Sequence, residues 1–119
     1  MNNKIIICGT KTFEDYKFFK DKLDFLLKNI DGTIEIVSGC GKGPDTMAIK
    51  YADENGYKVW RFPPEWKHFG NKAGVVRNTL MADFSTHCIA FWDGKSTGTY
   101  DMIKKAKEYN LNTRIVKID

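Results

Sequence analysis

The stretch IEIVSGCGKGPDTMAIKYADENGYKVWRF, residues 34–62, decides how the chain folds. Its first five residues, Ile34 to Ser38, include the β-branched apolar residues Ile34, Ile36 and Val37, and they stop at a glycine. They predict a buried strand. Three glycines then fall within five residues, at Gly39, Gly41 and Gly43. Pro44 follows, and it suits the first turn of a helix because its missing N–H is not needed there. Met47, Ala48, Tyr51 and Ala52 recur at helical spacing until Gly56 stops the helix. Lys58 to Phe62 predicts another strand, closed by Pro63-Pro64. This is a strand, a glycine-rich turn, a helix and a second strand, a unit whose connection length demands parallel pairing.

The same alternation extends to both ends. Upstream, Lys4 to Cys8 predicts a buried strand ended by Gly9. Thr12 is placed to cap the following helix, with Asp15 at its third position. The stripe Tyr16, Phe19, Leu23, Leu26, Leu27 and Ile30 marks the apolar face of that helix, and Asp31-Gly32 ends it. Downstream, Glu65 to Asn71 is a longer connection carrying Trp66, His68 and Phe69. Lys72 to Phe84 predicts a helix with Ala73, Val76, Leu80, Met81 and Phe84 inward. His87 to Trp92 predicts the fourth strand, Thr99 to Tyr109 the last helix, and Thr113 to Ile118 the fifth strand.

Strict alternation of five buried strands with four helices implies an α/β fold, a three-layer sandwich with helices on both faces of a parallel sheet. Right-handed crossovers and the long connection after the third strand favour the order 3-2-1-4-5. At 119 residues the chain predicts one domain, 1–119, with enough bulk for a core without disulfide or metal staples. No apolar run reaches the roughly 18–20 residues of a membrane span, nor the core of a signal peptide. The three cysteines, Cys8, Cys40 and Cys88, fit no zinc spacing and suit a reducing cytoplasm. His68 and His87 lack partners at metal-ligand spacing, so neither a metal nor another cofactor is expected.

The net charge of +4 is unevenly placed. Residues 1–60 hold nine lysines and nine acidic residues, whereas 61–119 hold ten basic and six acidic residues. Such an excess suits an anionic small molecule and is small for a duplex nucleic-acid binder.

In an open parallel sheet, ligands bind beyond the carboxyl ends of the strands where the strand order reverses, here between strands one and four. Three loops converge there. Gly9-Thr10-Lys11 has a single glycine and is not a dinucleotide fingerprint. Gly39-Cys40-Gly41-Lys42-Gly43, just before a helix N-terminus, points to a phosphate or carboxylate cradle. Asp45 opens that helix, either as a hydroxyl ligand or as a helix-end charge. Cys40 has no base beside it and reads as a small loop residue rather than a nucleophile. Asp93-Gly94-Lys95-Ser96-Thr97-Gly98-Thr99 contains a Gly-Lys-Ser triplet. A P-loop would need glycine at Ile89, so the loop reads as a second cradle instead. Arg77 and Asn78 precede strand four, and an arginine there suits bidentate contact with an anion. Trp92 is placed to stack on a base.

These segments resemble the SLOG superfamily, and most closely its YspA-like, YpsA-related branch. The resemblance rests on Gly9-Thr10-Lys11 with Phe13, on Ser38 to Asp45, on Trp66, Gly70 to Gly74, Arg77-Asn78 and Met81, and on Phe91 to Thr99. Eight of the ten glycines fall in these segments. The branch commonly has Ser-Arg where this chain has Thr10-Lys11. The resemblance implies a Rossmann-like domain that binds nucleotides or their derivatives, as a sensor or sequestering protein, and that dimerises or forms a higher homo-oligomer. The related LOG phosphoribohydrolases carry an Arg-Lys pair and then a Gly-Thr-x-x-Glu segment. Arg77 and Gly98-Thr99 match, Asn78 replaces the lysine, and Met102 stands at the glutamate. A thioether cannot serve as a general base, so binding is expected in place of hydrolysis. Were the chain an N-glycosidic hydrolase, Asp93 or Asp101 would have to replace that glutamate. A third reading, single-stranded nucleic-acid binding, follows from the distant DprA proteins.

Overall fold

The computed structural model describes residues 2–119. Its centre is β1 (Asn2–Gly9), in which Ile5, Ile6 and Ile7 are all fully buried. A strand alternates its side chains between two faces, so three successive buried isoleucines require cover on both. That cover comes from two separate apolar layers. On one face Ile5 and Ile7 pack with Phe19, Leu23 and Leu27 of α1 (Tyr16–Leu27) and with Ala48, Tyr51 and Ala52 of α2 (Pro44–Asn55). On the other, Ile6 and Cys8 pack with Met81 and Ala82 of α4 (Ala73–Phe84) and with Met102, Ile103 and Ala106 of α5 (Thr97–Glu108).

The remaining strands are β2 (Thr33–Ser38), β3 (Lys58–Arg61), β4 (His87–Trp92) and β5 (Asn112–Lys117). All pairings are parallel and the order is β3-β2-β1-β4-β5, the order expected from the sequence. Ile6 pairs with Val37 on one side and Cys88 on the other, which sets the register of the whole sheet.

Several boundaries differ from expectation for local reasons. The Thr12 cap does not form. The Thr10 carbonyl accepts from the Phe13 amide at 3.0 Å, closing a turn, and the Asp15 carboxylate caps α1 by accepting from the Phe18 amide at 3.1 Å. The long connection contains a one-turn helix, α3 (Trp66–Phe69), and a 3-10 turn at Gly70–Lys72, in addition to the four twelve-residue helices. α5 starts two residues early, at Thr97. Leu80, expected inward, is 52% exposed, because α4 turns Ala73, Asn78, Met81 and Ala82 to the sheet instead.

Gly9 ends β1 at the point where β1, β4 and α2 converge. A Cβ there would lie 2.4 Å from the Phe91 carbonyl oxygen and 2.7 Å from the Pro44 ring. Neither neighbour can swing away, since one is backbone and the other a ring. Gly9→Ala is therefore expected to lower stability by about 3 kcal/mol, the upper end of ordinary overpacking losses. Urea denaturation with an unchanged m-value would show it, and an unshifted midpoint would contradict the packing described here.

Candidate functional site

The strand order reverses beside β1, so the loops leaving β1 and β4 diverge to opposite faces of the sheet and open a cleft between them. The cleft has a volume of about 590 Å³, within the range that holds a small ligand. Gly9, Thr10 and Lys11 form one wall, with Thr12 beyond them. Ser96, Thr97, Gly98 and Thr99 form the opposite wall, and Arg77 and Asn78 close the side.

The glycine-rich loop after β2 is used differently from expectation. Only Gly41 and Lys42 reach the cleft, joined by Asp45 from α2. The Cys40 amide donates to Ser38 Oγ at 3.1 Å, and Ser38 Oγ in turn donates to the Asp45 carbonyl at 2.8 Å. The Gly41 amide donates to Asp45 Oδ2 at 3.0 Å. Two amides expected to face an anion are thus spent inside the loop. Gly43, at φ +74°, lies against the first loop, where a Cβ would approach the Thr10 and Lys11 carbonyls to 2.9 Å. Gly39 leaves room for the Arg77 guanidinium, which a Cβ would meet at 2.6 Å. Gly39, Cys40 and Gly43 therefore shape the wall from behind.

Arg77 is held in place before any ligand arrives. Its Nη1 donates to the Gly39 carbonyl at 2.6 Å and its Nε donates to Asn78 Oδ1 at 2.9 Å. Asn78 Nδ2 donates to Asp101 Oδ2 at 2.9 Å, and Lys105 Nζ donates to Asp101 Oδ1 at 2.7 Å. This relay from α5 fixes the amide of Asn78, which orients the guanidinium. It also occupies both oxygens of Asp101, which lies behind Asn78 and not on the cleft wall.

Asp93 lines the cleft and is engaged through one carboxylate oxygen. Its Oδ1 accepts from the Lys95 and Ser96 amides at 2.8 and 2.9 Å, and its own amide donates to Thr10 Oγ1 at 3.1 Å. Those amide donors hold its carboxyl below the ordinary carboxylate value. The turn delivers the chain into α5, whose N-cap Ser96 makes no side-chain cap bond. The first-turn residues Thr97, Gly98 and Thr99 face the cleft, so the positive end of this helix opens into it. Nothing lies within 4 Å of a Cβ placed on Gly98, which leaves space for close approach.

Trp92 and Gly94 lie outside the wall. The Trp92 indole donates to the Ser96 carbonyl at 3.0 Å and its ring stacks on Tyr100 at 5.9 Å, so it braces the loop. Conversely, Cys8, Lys95, Thr12, Met81 and Met102 line the cleft without having been expected there as ligand residues. For Lys95 the signal was present, a cation just before a helix start. Met81 and Met102 were indistinguishable from core residues by spacing.

The sequence pattern of the YspA, cpYpsA-related SLOG family matches residues 3–69, more than half of the chain, and the chain belongs to that family. Gene 61 protein of Mycobacterium phage D29 is 28% identical over 114 residues, 91% of each chain. The X-ray structure of DNA processing protein A (DprA) from Streptococcus pneumoniae superposes on 97% of this chain with a TM-score of 0.73 and 16% identity. The chain spans 50% of that protein's length, and at this identity the likeness is one of fold.

Burial raises the Asp45 carboxyl above its ordinary 3.8, against the opposing pull of the Gly41 amide and the Arg77 charge. Between 3.8 and the raised folded value, the native state holds a proton that the unfolded chain has released. Ionised Asp45 therefore costs stability at neutral pH, and the cost disappears as pH falls through the folded value. Asp45→Asn keeps an acceptor for Gly41. It is expected to be more stable than the parent at about pH 7, with the gap closing toward about pH 4. Paired urea melts would reveal this, and a gap independent of pH would contradict it.

Proposed function

We propose that this family member binds a nucleotide-type ligand in the cleft between β1 and β4, as a sensor or sequestering protein. The observation that carries the reading is the uncapped N-terminus of α5 opening into the cleft opposite an Arg77 already oriented by Gly39 and Asn78. Partial positive charge from the helix end and a fixed guanidinium converge on one volume, which suits a phosphate group. Lys11, Lys42 and Lys95 add cations around the rim. Two carboxylates, Asp45 and Asp93, oppose this charge on the cleft wall. Asp45 Oδ1 and the Thr99 hydroxyl are suited to sugar hydroxyls, which a purely cationic site would not distinguish from water.

Binding without turnover is the part of the reading that rests on Met102. It lies on the cleft wall at the position where the LOG enzymes carry glutamate, and Asp101 has both oxygens engaged by Asn78 and Lys105. A proton-transfer role would require one of them to be released.

Thermal unfolding with nucleoside mono- and diphosphates, cyclic dinucleotides, ADP-ribose and a short oligonucleotide tests the proposal. A ligand present at a hundredfold excess over its Kd should stabilise the fold by about 2.7 kcal/mol. Arg77→Ala should weaken that ligand by about ten- to a hundredfold, the loss of a charge-assisted contact. Lys42→Ala should have a smaller effect that fades with added salt. No shift with any compound at millimolar concentration would overturn the proposal. A shift with the oligonucleotide alone would replace it by single-strand binding.

A further inference from the structure

The segment 65–72 between β3 and α4 buries none of its eight residues, although two of them are Trp66 and Phe69. It contributes little to either apolar layer. A stretch that carries large aromatic rings without burying them calls for another use. Phe69 is 36% exposed, and among the described residues its ring meets only that of His68. It faces a second cavity, of about 230 Å³, whose walls are Phe62, Pro63, Val76 and Leu80. Leu80 is the apolar residue that α4 turns away from the sheet. Arg61 and Glu65 stand at the rim of this cavity.

The two cavities are adjacent, because Arg77 lines both. The volume of the second lies below the range for a complete ligand and suits one planar moiety. Six of its nine lining residues are apolar, two of them phenylalanines, whereas the main cleft is ringed by cations. A nucleotide has this division, an anionic end and a flat ring with polar edges. Trp92, expected to stack on the ring, is engaged with Ser96 and Tyr100. Among the described residues, no tryptophan, tyrosine or phenylalanine lines the main cleft.

We propose that the cavity between Phe62, Phe69 and Leu80 is the base subsite, with Phe69 stacking on the ring and Arg61 and Glu65 reading its edge. Arg77 then stands between the two parts of one ligand, with its Nη2 group uncommitted to the bonds that orient it. This inference rests on the reading of the main cleft as a nucleotide site. It assigns the discrimination between bases to a segment that takes no part in the core.

Calorimetric titration of the intact chain with the four nucleoside 5′-monophosphates, and with ribose 5-phosphate as the base-free probe, tests it. At least one monophosphate should bind about tenfold tighter than ribose 5-phosphate, the size of one stacking contact. Phe69→Ala should remove that advantage and leave ribose 5-phosphate binding unchanged, whereas Phe69→Trp should retain it. Leu80→Ala should reduce it in part, and Arg77→Ala should weaken both probes. If ribose 5-phosphate binds as tightly as every monophosphate, or if the advantage survives Phe69→Ala, the base subsite is overturned and the main cleft stands. If no probe binds, both readings fall. If Phe69→Ala leaves affinities unaltered but halves the mass in sedimentation, a second copy of the chain covers the patch, and the proposal is wrong.

Discussion

Burial of both faces of β1 is the constraint from which the architecture follows. A strand with three adjacent buried isoleucines cannot lie at a sheet surface, so helices must cover both sides. Each side chain at 0% exposure contributes about 2–3 kcal/mol of apolar burial, and that gain is lost if either helical layer is missing. With β2 on one side and β4 on the other, the chain leaves β1 toward one layer and leaves β4 toward the other. The cleft is the gap this divergence leaves. The site is thus a by-product of how the core is closed, and Gly9 allows the three elements to meet tightly beneath it.

The cleft is preorganised in part by groups that lie behind its walls, Asp101 and Lys105. Lys105, Asp101 and Asn78 form a line of hydrogen bonds across α4 and α5 that ends on the Arg77 guanidinium. The bond from Arg77 to the Gly39 carbonyl ties this line to the loop after β2. An arginine placed this way loses little further rotamer freedom when an anion arrives, which favours affinity through a lower ordering cost. The Asp45 carboxylate organises the same loop through Gly41 while resisting ionisation because it is buried. Around the cleft, the cations Lys11, Lys42, Arg77 and Lys95 outnumber the carboxylates Asp45 and Asp93.

Periodicity made the elements legible. The stripe from Phe19 to Leu27, the isoleucines of β1 and Pro44 at a helix start each follow from local geometry, and the sheet order followed from connection lengths. The segments that build the cleft were legible too, since glycine clusters between strand and helix are hard to place elsewhere. Individual roles inside those segments were less so. Gly43 looked like a ligand-facing glycine and is a packing glycine, because the atoms it would strike belong to a loop some thirty residues away. Trp92 looked like a stacking platform, yet its indole N–H finds the Ser96 carbonyl four residues on. The one-turn helix at Trp66–Phe69 had no periodic signal, being shorter than one helical repeat of side chains needs to declare itself.

The sequence by itself determined the alternation of strands and helices, the parallel sheet and its order, and the edge of the sheet at which the cleft opens. These depend on spacing along one element or between neighbours, and a linear pattern records such spacing directly. Only the tertiary structure decided which amides are free, which carboxylates are engaged and which aromatic ring is available. A polar group's partner is chosen by distance in space. Asp101 meets Asn78 across 23 residues and Arg77 meets Gly39 across 38. No local pattern carries that information, because the same residue types at the same spacing would read identically with those partners elsewhere.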